Sequence, residues 1–537
     1  MDEKTVIVVA AFYLLAAVVF TWPASTQIST HVIGDGGDSL QNMWNLWWVE
    51  KAVSGPEKLY FTDYLFYPEG ASLAFHTLSP ANTLFLGLPL FFLTGSFLLS
   101  YNILILLSFV LSGYGMYLLV RYLTGEWDVA VLAGFAYSFS PYHLAQSLGH
   151  LNLASIQWLP FFILFYLKML REDGWRNPVL AAAFLLLLSL SSWQYLLVAV
   201  VLGGVIYVHE ALTGRWRDMR LHGRLSLFSL SFLLAVSPFA APMIRRFLDG
   251  VFPGSGRSFS MITLENYLTP SKMHPLWGRS FASFYPPNIS DSTVFLGYTL
   301  LAFSVLHVLK NRKKARPWIF SSVIFALLSI KPNVLHDIFS MIFPPFRVMS
   351  NMERFALGTV FSVTVMFAFG VKEYMPRLTE FTGVDRVKVM ALLLGIVALE
   401  FLVVPYYSTA VKPVPDEIER MGEEDENFTV LNVPPLYNSP AMYLQTVHGK
   451  KMLGGYLSRT PERSLETLRD LRSASRRGRV QEVRSMVERL RVRYLISYPD
   501  FSPDYGMNLS RIPGQLRTAL VYNTSRLKVY RVENQPS

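Results

Sequence analysis

Long apolar runs, separated by short polar segments, recur along the first three quarters of this chain. About 20 apolar residues in a helix cross the hydrocarbon core of a membrane. The runs that approach this length are 6–22, 97–120, 151–170, 225–241, 293–309, 355–371 and 389–404. Residues 129–139 and 318–330 stop early, before a proline, and 179–208 is long enough for a helical hairpin. The pattern predicts a mainly α fold, a polytopic transmembrane bundle of about eleven spans.

Near residue 406 the apolar runs end and charged residues become dense. The pattern there predicts short strands and basic helices: strands at 428–433 and 494–498, helix at 463–490, and a hairpin at 519–532. We therefore expect two domains. Residues 1–405 form the transmembrane domain, with external loops at 23–96 and 245–291, and residues 406–537 form a soluble, extracytoplasmic α/β domain.

Composition narrows the class of protein. Hydrophobic residues make up 52% of the chain and charged residues only 16%, which excludes an ordinary soluble protein. The absence of cysteine excludes disulfides and thiolate metal sites. We predict a multi-pass protein of the cell membrane, with membrane lipids around it.

The net charge of +10 follows from four basic clusters in short loops, at 168–176, 215–224, 310–316 and 377–388. All four fall on one side if the spans are counted as above, and short cytoplasmic loops carry an excess of Lys and Arg. The amino terminus is then cytoplasmic, and the long loops and the carboxy-terminal domain are outside. The charge is thus explained by topology, and no nucleic-acid partner is expected.

The most informative external segment is 31–48, HVIGDGGDSLQNMWNLWW. Asp35 and Asp38 lie among glycines, which let the backbone approach a ligand closely. Trp44, Trp47 and Trp48 are typical of a helix at the lipid headgroups. These carboxylates are candidate catalytic groups. The alternative is an Asp/Gly turn that caps an interfacial helix, with Asp38 or Ser39 at the N-cap.

The second long loop, 245–291, carries further candidates in its aromatic, proline-punctuated sequence. Glu265 is a candidate metal ligand or sugar contact, and His274 and Trp277 are candidate substrate contacts. Arg279 departs from the positive-inside rule, as expected if it binds an anionic ligand. The alternative for each residue is an anchor at the membrane interface.

Arg347 and Arg354 lie seven residues apart, before a predicted span, and share a helical face if that segment is helical. Two guanidinium groups there could clamp a phosphate, or they could extend to lipid headgroups. His76 and His150 also fall outside, as polar contacts of a cavity. If a metal is present, Mg²⁺ or Mn²⁺ bound by Asp35, Asp38 and Glu265 is the expected form.

The order of these parts resembles the GT-C superfamily of membrane glycosyltransferases. Several short motifs resemble its uncharacterised prokaryotic branch that contains YfhO-like proteins. They include DGGDS from Asp35, FYPEG from Phe66, SFSPY from Ser138, GHLN from Gly149 and GGYLSR from Gly454. The resemblance covers most of the chain.

This resemblance implies transfer of a sugar, with inversion, from a polyprenyl or dolichyl phosphate to an acceptor on the outer face. The acceptor is a glycan, a lipid or a protein. Asp38 or Asp35 would act as base or would orient the acceptor, and Arg347, Arg354 and Arg279 would bind the donor phosphate. Some relatives use a metal and a DxD motif, which both external loops lack.

The competing class is a non-catalytic flippase, transporter or assembly factor for lipid-linked glycans. A transporter is expected to carry polar groups at mid-membrane depth and often an inverted repeat. Here the acidic residues gather in external loops and no obvious repeat is visible. The sequence therefore favours the enzyme.

Overall fold

The computed structural model describes residues 3–212, 214, 217–249, 262–285, 292–331, 335, 338–339, 341, 351–460, 462–500 and 509–533. Six helices in these ranges are long and apolar enough to cross a membrane. They are Glu3–Phe20, Phe97–Thr124, Leu151–Arg171, Trp193–Leu212, Met219–Leu248 and Met352–Thr382.

The remaining predicted spans are also helical, but they are shorter or begin with more charge. They are Trp127–Ser138, Arg176–Ser191, Tyr298–Lys310, Arg312–Ser329 and Arg386–Glu400. The predicted hairpin at 179–208 turns at Ser192, between the helices Arg176–Ser191 and Trp193–Leu212. The count of eleven spans remains a prediction, since only six helices meet the criteria of length and composition.

Small residues let the first helix pack closely against its neighbours. A Cβ atom added at Gly113 would lie 2.6 Å from Tyr13, and one added at Gly134 would lie 2.0 Å from its hydroxyl. Tyr13 donates a hydrogen bond to the carbonyl of Val131 at 3.0 Å. This contact joins Glu3–Phe20 to the helices Phe97–Thr124 and Trp127–Ser138, as small residues commonly do between membrane helices.

Each of the four basic clusters is in contact with another of them. The four clusters therefore lie at one end of the bundle. Arg224 approaches Asp173 at 3.6 Å, and Arg171 lines one small cavity with Lys314. Lys310 and Arg377 both lie over the ring of Tyr374. This agrees with the predicted grouping, and which side of the membrane this end faces remains a prediction.

The loops after the first helix contain shorter elements. The helices are Asp38–Ser54, Ala81–Gly87 of π type, Leu88–Thr94, Pro141–Gln146 and Gly278–Phe281, while the span at 151–171 consists of Leu151–Ala154 and Trp158–Arg171. Strand β1 (His31–Ile33) pairs antiparallel with β4 (Ser408–Ala410). Between them in the sequence, β2 (Phe61–Thr62) and β3 (Ala71–Ser72) form a short antiparallel pair. The pairing of β1 with β4 has the larger consequence for the fold. This pairing joins the first loop to the segment after the last membrane helix.

The carboxy-terminal region contains a five-stranded sheet of order β6-β5-β7-β9-β8. Its strands are β5 (Thr429–Val433), β6 (Lys451–Met452), β7 (Val492–Ser497), β8 (Thr518–Asn523) and β9 (Lys528–Val532). Its helices are Asp416–Glu423, Ser439–His448, Glu466–Arg476, Val480–Arg489 and Ile512–Gln515. The predicted strands, basic helices and terminal hairpin are therefore present. The division into domains at residue 406 remains a prediction.

The loop helix, Asp38–Ser54, is packed against this region. Trp44 and Trp48 are fully buried and stacked at 5.8 Å, and Trp44 Nε1 donates to Gln445 Oε1 at 2.7 Å. The expectation that these tryptophans lie at the lipid headgroups is wrong, because all three side chains are buried inside the protein. Gly37 is at the N-cap, in place of the predicted Asp38 or Ser39.

We expect Gln445→Ala to lower the thermal unfolding midpoint of the protein in lipid nanodiscs. Gln445 also donates to the carbonyls of Tyr64 and Lys450, so truncation leaves buried groups unpaired, which costs about 1–3 kcal/mol. The control is Gln481→Ala, at an exposed position. Equal midpoints for the two variants would contradict this packing.

The orientation can be tested because the chain has no cysteine. We expect Gly514→Cys to react with a membrane-impermeant thiol reagent in intact cells. Lys313→Cys lies in a basic cluster and should react only after permeabilisation. Both positions are exposed. The opposite labelling pattern would reverse the predicted topology.

Candidate functional site

A cavity of about 620 Å³ lies between the loop helix, the adjoining end of the bundle and the carboxy-terminal region. Four of the predicted site residues line it, namely Asp38, His76, His150 and Arg354. They come from segments that are distant in sequence. The fold thus brings these predicted groups together in one polar cavity.

A glycine turn places Asp38 in this cavity. Gly34 has a φ of +111°, and a Cβ atom there would lie 1.9 Å from the carbonyl oxygen of Leu148. Only glycine fits this position without strain. The next amide, of Asp35, donates to the same carbonyl at 3.1 Å. The turn is therefore held against residues 148–150, which brings His150 to Asp38.

Both oxygens of the Asp38 carboxylate are engaged. His150 Nε2 lies 3.0 Å from Oδ2, and the Tyr456 hydroxyl donates to Oδ1. Burial opposes ionisation of Asp38, but the hydrogen bonds from His150 and Tyr456 and the charge of Arg354 outweigh it and lower its pKa. Asp38 is therefore an ionised carboxylate at neutral pH.

His76 is a neutral group in the wall of the cavity. The Ser458 amide donates to its Nδ1 at 3.2 Å, and its Nε2 lies 2.8 Å from Asn45 Oδ1. Nε2 therefore carries the proton and donates. Burial lowers the pKa of His76 to about 3. Through these two hydrogen bonds, the His76 ring joins Ser458 of the carboxy-terminal region to Asn45 of the loop helix.

Two guanidinium groups also line the cavity. Arg354 Nη1 donates to Gln194 Oε1 at 3.0 Å, and Arg459 extends from the carboxy-terminal region. Burial lowers the pKa of Arg459, yet a guanidinium stays charged in proteins. The two arginines outnumber the single carboxylate in the lining. The cavity therefore suits an anionic ligand.

Asp35 does not line this cavity. Asp35 lines a second cavity, and its Oδ1 accepts from the Gly37 amide at 2.9 Å. Arg347 lies outside the described residues. The pair of aspartates proposed from the sequence is thus divided between two cavities.

The second-loop residues lie outside the lining of both cavities. Glu265 and Arg279 are exposed. His274 Nε2 donates to the carbonyl of Leu399 at 2.7 Å, and its ring stacks on Trp277 at 4.3 Å. Burial lowers the pKa of His274. These contacts give His274 and Trp277 a packing function against the helix Arg386–Glu400.

The predicted metal ligands do not come together. Within the described ranges, no three His, Asp or Glu side chains are placed to hold a metal ion. Asp38 and His150 contact each other, Asp35 lines the second cavity, and Glu265 is exposed. The predicted set of Asp35, Asp38 and Glu265 therefore does not fit a metal site in the described part of the chain.

Tyr456, Arg459 and Gln194 also line the cavity, although no function was predicted for them from the sequence. The contact between Tyr456 and Asp38 spans 418 residues. One local signal was available in the GGYLSR motif. A Cβ atom at Gly454 would lie 2.0 Å from the carbonyl oxygen of Pro435, so this glycine permits the close approach that carries Tyr456 into the cavity.

No protein-family model and no curated protein sequence matches the chain. Its backbone is similar to those of several solved membrane proteins. Arabinofuranosyltransferase AftD from Mycobacteria has a TM-score of 0.55 and 14% identity, over 100% of this chain and 42% of that one. ArnT from Cupriavidus metallidurans has a TM-score of 0.53 and 14% identity, over 98% of both chains.

The third similar structure is the Archaeoglobus fulgidus oligosaccharyltransferase tethered with an acceptor peptide that contains the NVT sequon. Its TM-score is 0.52 at 13% identity, over 99% of this chain and 74% of that one. These proteins are GT-C glycosyltransferases. At such low identity the similarity shows a shared fold, as the sequence predicted. Membership of the YfhO-like branch remains a prediction.

We expect Tyr456→Phe to lower the unfolding midpoint at neutral pH, because it removes the bond that Tyr456 donates to Asp38. A bond to a charged group contributes about 1.5–3 kcal/mol. Since the folded pKa of Asp38 is lowered, this stabilisation is present above the ordinary carboxyl pKa. It is lost as the pH falls through the folded pKa.

The measurement is the unfolding midpoint against pH, in wild-type and Asp38→Asn backgrounds. The effect of Tyr456→Phe should vanish when Asp38 is already Asn. Tyr494→Phe is the matched control, since Tyr494 donates to Glu424 Oε1 at 2.6 Å, away from the cavity. An effect of Tyr456→Phe that is equal in both backgrounds would refute the coupling.

Proposed function

We propose that this chain is a GT-C-type membrane glycosyltransferase. It moves a sugar from a polyprenyl- or dolichyl-phosphate donor to an acceptor on the outer face of the membrane, with inversion. The observation that carries this proposal is the Asp38 carboxylate, in contact with His150 and Tyr456, in a cavity with two arginines. The shared fold with membrane glycosyltransferases supports it.

In the proposed reaction, an acceptor hydroxyl oxygen attacks the anomeric carbon from the side opposite the phosphate. A bond forms between this oxygen and the carbon, and the bond from the carbon to the phosphate oxygen breaks. The electron pair leaves with the lipid phosphate, and the acceptor proton moves to Asp38. The products are an inverted glycoside and the lipid phosphate.

Asp38 first orients the acceptor and then takes its proton. Its lowered pKa makes it a weak base before attack. The acceptor oxygen becomes more acidic as the new bond forms, so the proton transfer is late. A positioned base contributes about 10²- to 10⁴-fold to the rate. His150 and Tyr456 are positioning residues, since each acts through its hydrogen bond to this carboxylate.

The leaving phosphate requires positive charge, which Arg354 and Arg459 can supply. Guanidinium groups bind phosphate through charge-assisted, often bidentate hydrogen bonds. Positive charge fixed where negative charge develops lowers the barrier, because it needs little reorganisation. Arg354 is our first choice, as the sequence suggested, and Arg459 lines the same cavity.

The experiment is transfer of radiolabelled sugar from a panel of polyprenyl-phosphate donors by purified protein in lipid. We expect Asp38→Asn to reduce the rate by about 10²- to 10⁴-fold. Asp35→Asn should retain much more activity, because Asp35 lines the other cavity. EDTA tests for a metal, since sensitivity to EDTA would show that a bound Mg²⁺ or Mn²⁺ takes part.

Equal rates for wild type and Asp38→Asn would contradict the proposed base. Absence of transfer with every donor, combined with donor binding and movement across the bilayer, would identify a flippase. Donor binding without movement or transfer would identify an assembly factor.

A further inference from the structure

One wall of the cavity that Asp38 lines is the turn of the helical hairpin at Ser192. Six consecutive residues of this turn, 189–194, line the cavity. The Ser79 hydroxyl donates to the carbonyl of Ser191 at 3.0 Å, which holds the turn against the preceding loop. The turn therefore places Gln194, at the start of the following helix, in the wall of the cavity.

Gln194 holds the side chain of Arg354. Arg354 Nη1 donates to Gln194 Oε1 at 3.0 Å. An amide oxygen is an uncharged acceptor, so this bond orients the guanidinium group without cancelling its charge. Arg171 shows the other arrangement, since it donates to the carboxylate of Glu210 at 2.7 Å. Gln194 thus adds an oriented hydrogen bond beside Arg354 but no negative charge.

Two buried tyrosines hold the backbone of Arg354. The Tyr142 hydroxyl donates to the carbonyl of Arg354 at 3.2 Å and lies 3.0 Å from the hydroxyl of Tyr195. Tyr195 donates to the carbonyl of Leu153 at 2.6 Å, and both tyrosine side chains are fully buried. Leu153 belongs to the short helix that directly follows His150. The two hydroxyls therefore connect the arginine to the segment that carries His150.

We propose that Gln194 and Tyr142 are positioning residues that hold the Arg354 guanidinium group, still charged, for the phosphate of the lipid donor. The identity of this ligand rests on the proposed function. Binding is weakened by the loss of freedom of each side chain that it immobilises. An arginine that is already held loses less freedom, and a charged guanidinium group binds phosphate through charge-assisted hydrogen bonds.

The same contacts fix the phosphate relative to the proposed base. Tyr142 and Tyr195 join Arg354 to the segment of His150, and His150 lies 3.0 Å from the carboxylate of Asp38. The charge of Arg354 also helps to lower the pKa of Asp38. A phosphate held by Arg354 therefore keeps a defined position relative to Asp38, and attack on the anomeric carbon depends on such positioning.

The test measures equilibrium binding of farnesyl phosphate, a short polyprenyl phosphate, to the full chain in nanodiscs of neutral lipid. Farnesol is the uncharged comparison. Gln194→Met removes the amide acceptor and keeps a side chain of similar size. We expect it to weaken binding about 3- to 10-fold, as for the loss of one hydrogen bond. The effect should vanish in an Arg354→Met background, because Gln194 acts through Arg354.

Gln194→Glu separates orientation from charge. Glutamate keeps an oxygen for the guanidinium group, so a purely structural function of Gln194 predicts that binding equals that of the wild type. Positioning by an uncharged group predicts a loss larger than that of Gln194→Met, about 10²-fold. The reason is that the carboxylate cancels the charge of Arg354 and repels the phosphate. Binding by Gln194→Glu that equals the wild type would overturn the proposal.

Tyr142→Phe should also weaken binding of farnesyl phosphate, about 3- to 10-fold, because the carbonyl of Arg354 loses its donor. The matched control is Tyr137→Phe. Tyr137 is fully buried as well, donates to the carbonyl of Ile156 at 3.0 Å and does not line the cavity. Equal losses in the two variants would indicate a general loosening of the bundle and would overturn the positioning function of Tyr142.

Binding and transfer separate this proposal from the proposed function. Unchanged binding of farnesyl phosphate in both Gln194 variants would overturn the positioning function, even in a protein that transfers sugar. So would binding of farnesol that is as tight as that of farnesyl phosphate. The expected order of binding, without sugar transfer by the wild type from any donor, would refute the proposed function. Arg354 would then remain a phosphate-binding group that Gln194 holds.

Discussion

The site depends on how the Asp38 carboxylate is held. His150 reaches one of its oxygens from the bundle and Tyr456 reaches the other from the carboxy-terminal region. A buried charge is costly unless it is paired and hydrogen-bonded. The hydrogen bonds from His150 and Tyr456 help to lower the pKa of Asp38, so its ionised form is favoured most while both regions stay in place. This one carboxylate couples the membrane bundle to the region that follows it.

Other residues of the loop helix also join it to the carboxy-terminal region. Its tryptophans are buried, and Trp44 donates a hydrogen bond to Gln445 of the helix Ser439–His448. Gln41 Nε2 donates to the carbonyl of Tyr456 at 2.8 Å, and Ser458 is bonded to His76. Apolar packing on one face and hydrogen bonds on the other fix the same helix. The cavity is consequently formed by packing, with its polar groups already oriented.

The features predictable from the sequence were those with a local signal. Apolar runs of membrane length predicted the helices, and alternating short strands predicted the carboxy-terminal sheet. Asp38 and Arg354 could be named from local signals, a glycine-rich turn and an arginine pair before a span, and His76 and His150 were predicted as polar contacts of a cavity. Their meeting in one cavity required the fold.

The remaining features depend on distant contacts. The covering of Trp44 by Gln445 and the contact of Tyr456 with Asp38 join residues about 400 positions apart. Asp35 and Asp38 are three residues apart in the sequence, so both were predicted to be catalytic groups of one site. The helix that begins at Asp38 places them in different cavities. Glu265 and Arg279 are exposed and line neither cavity. No local sequence pattern could have indicated this.

The most direct test of the central claim is a structure of the full chain in lipid nanodiscs with a bound polyprenyl-phosphate sugar. Our account predicts that the phosphate lies within hydrogen-bond distance of Arg354 or Arg459, with the anomeric carbon on the side of Asp38. A phosphate bound instead beside Arg279, or in the second cavity beside Asp35, would contradict it.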